Sequence, residues 1–139
     1  MDGTTFLARV GEYHKDGWRL ALINASSVLP TEEMEQGAID VAWAFAKGTE
    51  FETLRERIMP GDEMPSISAS FGAAFLYENE IRELFGINVT GINVDLRGQL
   101  YQTSQKVPFA PSAIRARLEA NAAAAAAAGT TPKPAGHHV

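Results

Sequence analysis

An α+β fold is predicted by three observations. Residues 18–25 and 39–46 alternate apolar and polar side chains at period two, as half-buried strands do, whereas Phe71, Ala74, Glu78, Ile81 and Phe85 recur at steps of three and four, as one face of a helix does. Gly- or Pro-bearing turns punctuate the segments between them. The arrangement expected is a first helix, a small mainly antiparallel sheet of three or more strands, the central helix across one face of that sheet, and an extended C-terminal arm. That order resembles a split ferredoxin-like layer. Residues 1–106 read as one α+β domain, 107–128 as the arm with an Ala-rich helix, and 129–139 as a disordered tail.

The elements follow in chain order. Thr4 or Thr5 offers a side-chain oxygen to cap a helix with Phe6, Leu7, Val10, Tyr13 and His14 on one side, and Lys15-Asp16-Gly17 ends it. His14 has no Asp or Ser beside it to complete a triad and reads as a structural helix residue. Trp18, Leu20 and Leu22 then alternate with Arg19, Ala21 and Ile23 in a strand with one face more buried than the other. Glu32, Glu33 and Glu35 lie in a polar loop with no Gly at a calcium-loop offset, so they read as a solvated rim.

Ile39, Val41, Trp43 and Phe45 share one face of the next strand, and Lys47-Gly48 marks a tight turn. Residues 49–59 fit two patterns: Phe51, Leu54 and Ile58 suit a helix, while Phe51, Thr53, Arg55 and Arg57 suit one face of a strand. The short turn after a clear strand favours a hairpin partner, and strand is the assignment. Pro60-Gly61-Asp62 ends it.

Pro65-Ser66 reads as the start of the central helix and Gly86 as its stop, with Ile87 folding back in a Schellman ending. Residues 87–95 and 100–103 suit an irregular hairpin around Arg97-Gly98, and residues 106–111 an extended run, because each Pro biases its predecessor away from helix. Pro111-Ser112 opens a last helix through Ile114 and Leu118 that the alanines at 122–128 prolong.

Composition narrows the function. The chain has 139 residues, no cysteine and a net charge of -5. An acidic chain without a basic run does not suit phosphate backbones or anionic membranes. The missing thiolates remove disulfides, thiol catalysis and the ligands of nearly all iron–sulfur clusters. No apolar run reaches transmembrane length and no signal pattern opens the chain, so the compartment expected is the cytoplasm. No phosphate loop, nucleophile elbow or His-Glu-x-x-His spacing occurs. Glu78 and Glu80 diverge by about half a turn on a helix and do not flank one bond as a glycosidase pair must. A terminal pair such as His137-His138 reads as incidental.

The central helix carries the most information. Glu78 sits within its apolar stripe, and Arg82, four residues on, is in the favourable order for an ion pair. Glu78 is then either a paired carboxylate that fixes the helix or a proton-handling or docking one. Glu80 and Glu83 point the other way with Leu76 between them, as an ordinary solvated face or a partner surface.

Glu78, Glu80, Glu83, Phe85, Gly86 and Ile87, followed by Gly91 and then Asp95-Leu96-Arg97, resemble the signature of the 30 kDa subunit family of respiratory complex I, the respiratory-chain NADH dehydrogenase. The same family supplies a small hydrophilic subunit to membrane-bound, energy-converting (Ech-type) NiFe hydrogenases. Asn79 stands where the complex I form usually has Arg, and Ile92-Asn93-Val94 where it has His-Pro. Ser66-Ile67-Ser68, the run from Ala74 to Ile81 and the short chain look more like the hydrogenase branch. The resemblance also implies a strand at residues 49–59.

The resemblance implies a non-catalytic docking subunit without cofactors of its own, set on the cytoplasmic side of the membrane against a hydrogenase large subunit and neighbouring iron–sulfur subunits that hold the NiFe centre and clusters. Ferredoxin oxidation would be coupled to proton reduction and ion translocation. The alternative is the equivalent 30 kDa subunit of a quinone-reducing complex I, and from a different class a free-standing carboxylate enzyme. The partner interface expected comprises Leu76, Glu80, Glu83, Asp95, Arg97 and Phe109, and the structural motif Glu78, Arg82, Phe85, Gly86 and Ile87.

Overall fold

The structure, a computed structural model, describes residues 2–100 and 106–128. Its order is α1 (Gly3–Lys15), β1 (Arg19–Val28), β2 (Ala38–Lys47), β3 (Glu50–Ile58), β4 (Glu63–Pro65), α2 (Ala74–Phe85), β5 (Asn88–Thr90) and α3 (Pro111–Ala127). This is the α+β fold the patterns predict. β1, β2 and β3 form an antiparallel meander, and β4 and β5 a separate parallel pair. The end of the expected hairpin at 101–103, the tail at 129–139 and His137-His138 lie outside the described residues.

β2 is the centre of the molecule. Its inward set, Ile39, Val41, Trp43 and Phe45, is buried and meets both helices on one face of the sheet. Phe6 of α1 packs on Trp43 at 4.6 Å between ring centroids, and Tyr13 stacks on Phe45 at 4.3 Å. Each large side chain withdrawn from water in this way contributes about 1.5–3 kcal/mol. Residues 50–58 are a strand because Lys47 pairs with Glu50 across a two-residue loop. Gly48 there has a positive φ of 60°, in the position where a type II′ hairpin turn places glycine.

β1 alternates, but not throughout. Leu20 faces Phe45 and Leu22 faces Ala44, so Ala21 is an extra residue in a β-bulge. The bulge shifts the phase: Trp18 and Leu20 pack on the core before it and Ile23 and Ala25 after it, while Leu22 is left exposed. The Ala21 carbonyl accepts a hydrogen bond from the Tyr77 hydroxyl at 3.2 Å, which ties α2 to the bulge.

Two helix starts differ from expectation, and one ending differs in its hydrogen bonding. α1 is capped by Asp2, whose Oδ1 accepts from the Thr5 N–H at 2.8 Å, rather than by Thr4 or Thr5. That backbone bond is the first of the causes that hold the Asp2 carboxyl below its usual range. α2 starts at Ala74, not at Pro65-Ser66. Pro65 ends β4, the Ser66 N–H donates to Thr90 O at 2.8 Å, and residues 67–73 turn tightly, with Phe71 N–H donating to Ile67 O. Phe71 therefore reaches the core from that turn, where its ring also meets the exposed His14 edge-on. At the other end Gly86, at φ 79°, donates to Arg82 O, the single-bond left-handed ending rather than the Schellman pair.

Residues 87–95, expected as one arm of a hairpin, are mostly irregular. Only residues 88–90 are a strand, and they pair in parallel with β4. Residues 106–110 are a bend and a turn rather than an extended run, closed by Ala110 N–H to Val107 O at 3.0 Å. Phe109 N–H donates to Leu84 O at 2.7 Å, and the Ser27 hydroxyl donates to Phe109 O, so the root of the arm is bound to α2 and β1. A Cβ on Gly37 would meet Pro111 at 2.7 Å, which shows how closely the root is seated. Beyond it, α3 buries only Pro111 and Ala113. Deleting residues 122–128 should therefore leave the melting temperature unchanged, and a fall of several degrees in a thermal scan would show contacts that the burial does not reveal.

Candidate docking site on the motif helix

Glu78 and Asn79 are both fully buried on α2, and each anchors a different piece of loop. Glu78 does not pair with Arg82. Its Oε1 accepts from the Ile67 N–H at 3.0 Å and the Ser66 hydroxyl at 3.1 Å, while Oε2 is buried without a partner. Ser66 Oγ lies 2.7 Å from Ser68 Oγ, and Ser68 Oγ accepts from the Asn93 N–H at 2.9 Å. A chain of hydroxyls thus runs from the carboxylate to the loop after β5. Burial pushes the Glu78 carboxyl above its usual range, and the bonds from Ser66 and Ile67 only partly offset that.

Arg82 turns away from Glu78 because Asp95 lies within its reach. Its guanidinium donates to both carboxylate oxygens of Asp95 and, at 2.7 Å, to Asn79 Oδ1. The bond from Arg82 is the first cause of a lowered Asp95 carboxyl, and the Arg97 N–H, 2.7 Å from Asp95 Oδ1, adds to it. The ion pair expected within the helix is therefore formed between the helix and the loop.

Asn79 holds that loop. Its Nδ2 donates to Phe75 O at 2.7 Å and Val94 O at 2.9 Å, and its Oδ1 accepts from the Leu96 N–H at 3.0 Å as well as from Arg82. With two carbonyls at one end and two donors at the other, only one orientation of the amide satisfies all four. Sequence reasoning noted Asn79 only as a departure from a motif and gave it no role. Its position one residue after the apolar-stripe residue Glu78, in a helix where only short polar groups fit under a returning loop, was the available signal.

The expected interface residues are spread along α2 and the loop beside it. Glu83, Asp95 and Arg97 share a cleft of about 590 Å³ with Arg82, Gly98, Lys106 and Val107. Glu83 is half-buried and its Oε2 accepts from the Leu100 N–H at 2.8 Å, so the fold itself uses a carboxylate that was expected to face outward. Glu80 is half-buried as well. Leu76 is exposed in the first turn of α2, whereas Phe109 meets Phe85 near its end, at 5.6 Å between centroids. Nine residues of helix, about 13 Å, separate those two levels. Phe85, Gly86 and Ile87 close the helix, with Ile87 buried in the core.

Among the described residues no three His, Asp, Glu or Cys side chains converge as metal ligands would, and no helix is long and apolar enough to cross a membrane. What the fold does build is an α+β module organised on one helix, with polar clusters that fix two loops beside it. The chain belongs to the respiratory-chain NADH dehydrogenase 30 Kd subunit family, whose profile matches residues 7–111. That family provides accessory subunits of complex I-like oxidoreductase assemblies. A comparison with curated proteins finds no match.

Proposed function

We propose that this chain is the docking subunit of a membrane-bound, energy-converting NiFe hydrogenase, held against the catalytic large subunit on the cytoplasmic face. The nickel–iron centre and iron–sulfur clusters would belong to the partner chains, and this chain would carry no cofactor and no catalytic site. The observation that favours the hydrogenase branch is Asn79. Its amide is buried and bonded at both ends, and the Arg usual at this position in the complex I form, a donor-only side chain, offers no acceptor to the Leu96 N–H and Arg82.

Native purification with identification of the co-purifying chains tests the reading. A partner with two Cys-x-x-Cys pairs placed to bind nickel supports hydrogenase, and an assembly without one is a quinone enzyme. A second test uses the exposed positions. Leu76→Asp and Arg97→Glu should leave the melting of the free chain nearly unchanged, since both residues are exposed, while each lowers recovery of the large subunit. Full recovery with both variants would place the docking surface elsewhere.

A further inference from the structure

The root of α3 leaves a trough that the described residues do not fill. One cleft of about 600 Å³ lies between the start of β2, the end of β3, the end of α2 and α3, with Ile39, Met59, Phe85 and Ile87 in its walls. A second, of about 730 Å³, continues it past Leu29 and Leu118, and the two share Pro30, Glu35 and Arg115. Leu29, Met59 and Leu118 are large apolar side chains left exposed, and all three line this trough. Apolar surface gathered in one concave place is the pattern of a binding groove rather than of scattered surface residues.

The charges around it are mostly acidic. Among the described residues Glu32, Glu35, Asp62 and Glu119 line the trough, against one cation, Arg115, whose Nε is already bonded to Glu119 at 2.9 Å. An acidic rim repels the phosphates of anionic lipids and of nucleic acids. It suits a segment whose apolar side chains fill the floor while its Lys or Arg residues meet the carboxylates.

We propose that the trough at the root of α3 receives a basic amphipathic helix from a neighbouring protein chain, seated by the helix-in-groove mode. This rests on the chain being one subunit of an assembly, not on which assembly that is.

The test uses the full chain and a fluorescent synthetic peptide of about fourteen residues, with Leu at i, i+3, i+4 and i+7 and Lys elsewhere. Fluorescence anisotropy should show saturable binding that weakens as salt is raised. Leu118→Asp should weaken it at least about tenfold, the effect of losing one buried leucine contact. Glu35→Lys should also weaken it, and Glu50→Lys, on the distant hairpin, should leave it unchanged. The same peptide with Glu for Lys should not bind. Absence of saturable binding, indifference to Leu118→Asp, or an equal loss from Glu50→Lys would overturn the proposal. Because the probe is synthetic, a failure here leaves the hydrogenase reading standing, and a complex I result from native purification leaves the trough standing.

Discussion

Asn79→Leu is expected to lower the unfolding free energy by about 2–3 kcal/mol, since it keeps the branching of a fully buried side chain, puts bulkier methyl groups in place of the amide and removes its four hydrogen bonds. The loss is not shared evenly. Val94 is exposed and its carbonyl has access to water, but Leu96 N–H and the Arg82 guanidinium are partly covered and lose an acceptor each. Asn79→Asp should cost at least as much, because it retains an acceptor for Arg82 and Leu96 but turns a buried carboxylate oxygen onto the Phe75 and Val94 carbonyls, where both sides are acceptors. Urea unfolding of the three proteins makes the comparison, and stability equal to wild type in Asn79→Leu would mean that the loop at 94–97 is not held by this amide. The segment with Arg97, whose φ of 53° is unusual for a side chain with a Cβ, should also exchange its amide hydrogens faster in the Leu variant.

Glu78→Gln is expected to gain stability relative to wild type as the pH rises. Burial raises the carboxyl of Glu78 in the folded chain. Between the ordinary carboxylate range and that raised value the folded state binds more protons than the unfolded one, so the contribution of Glu78 is greatest below the ordinary range. It declines as the pH climbs through the folded value and is constant beyond it. Asp2, Asp40 and Asp95 act in the opposite sense, being lowered chiefly by bonds from Thr5, Arg57 and Arg82 respectively, and what they contribute is lost as the pH falls. The wild-type profile alone therefore mixes the two trends. The difference between wild type and Glu78→Gln isolates one group, and it should grow in favour of Gln from about pH 4.5 upward. A difference that is flat from pH 4 to 8 would show that the buried oxygen is solvated in a way the packing does not reveal.

Glu78→Ala separates the carboxylate from its partners. The buried Ile67 N–H loses its acceptor, which costs about 1–3 kcal/mol. The variant should be destabilised most at low pH and least at neutral pH, where wild type carries the cost of a buried charge. Arg82 is unaffected, since it pairs with Asp95.

Much of the fold was legible because it rests on local periodicity. β2 reads directly from Ile39, Val41, Trp43 and Phe45, its hairpin from Lys47-Gly48, and the end of α2 from Gly86, since in each case one residue's own conformational preference or one face's burial decides the outcome. The family signature was likewise carried by residues close together in the chain. Contacts between distant segments were not legible in this way. Period-three-and-four spacing permits a Glu78–Arg82 pair, but Asp95, thirteen residues beyond Arg82, takes the guanidinium because the loop after β5 is folded back onto the helix. The neighbours of Ser66 in sequence suggest a helix cap. Its hydroxyl instead bonds Glu78, since the parallel pairing of β4 and β5 holds Ser66 beside that carboxylate. The bulge at Ala21 is invisible in an alternating sequence and is tied down by Tyr77, fifty-six residues away. The amino-acid sequence by itself determined α1, the three-stranded meander, the end of α2, α3 and the family; the tertiary structure alone decided where α2 starts, that β4 and β5 pair in parallel, and which polar groups meet, because a hydrogen bond is made to whatever lies within about 3 Å, and that distance is set by how the layers pack.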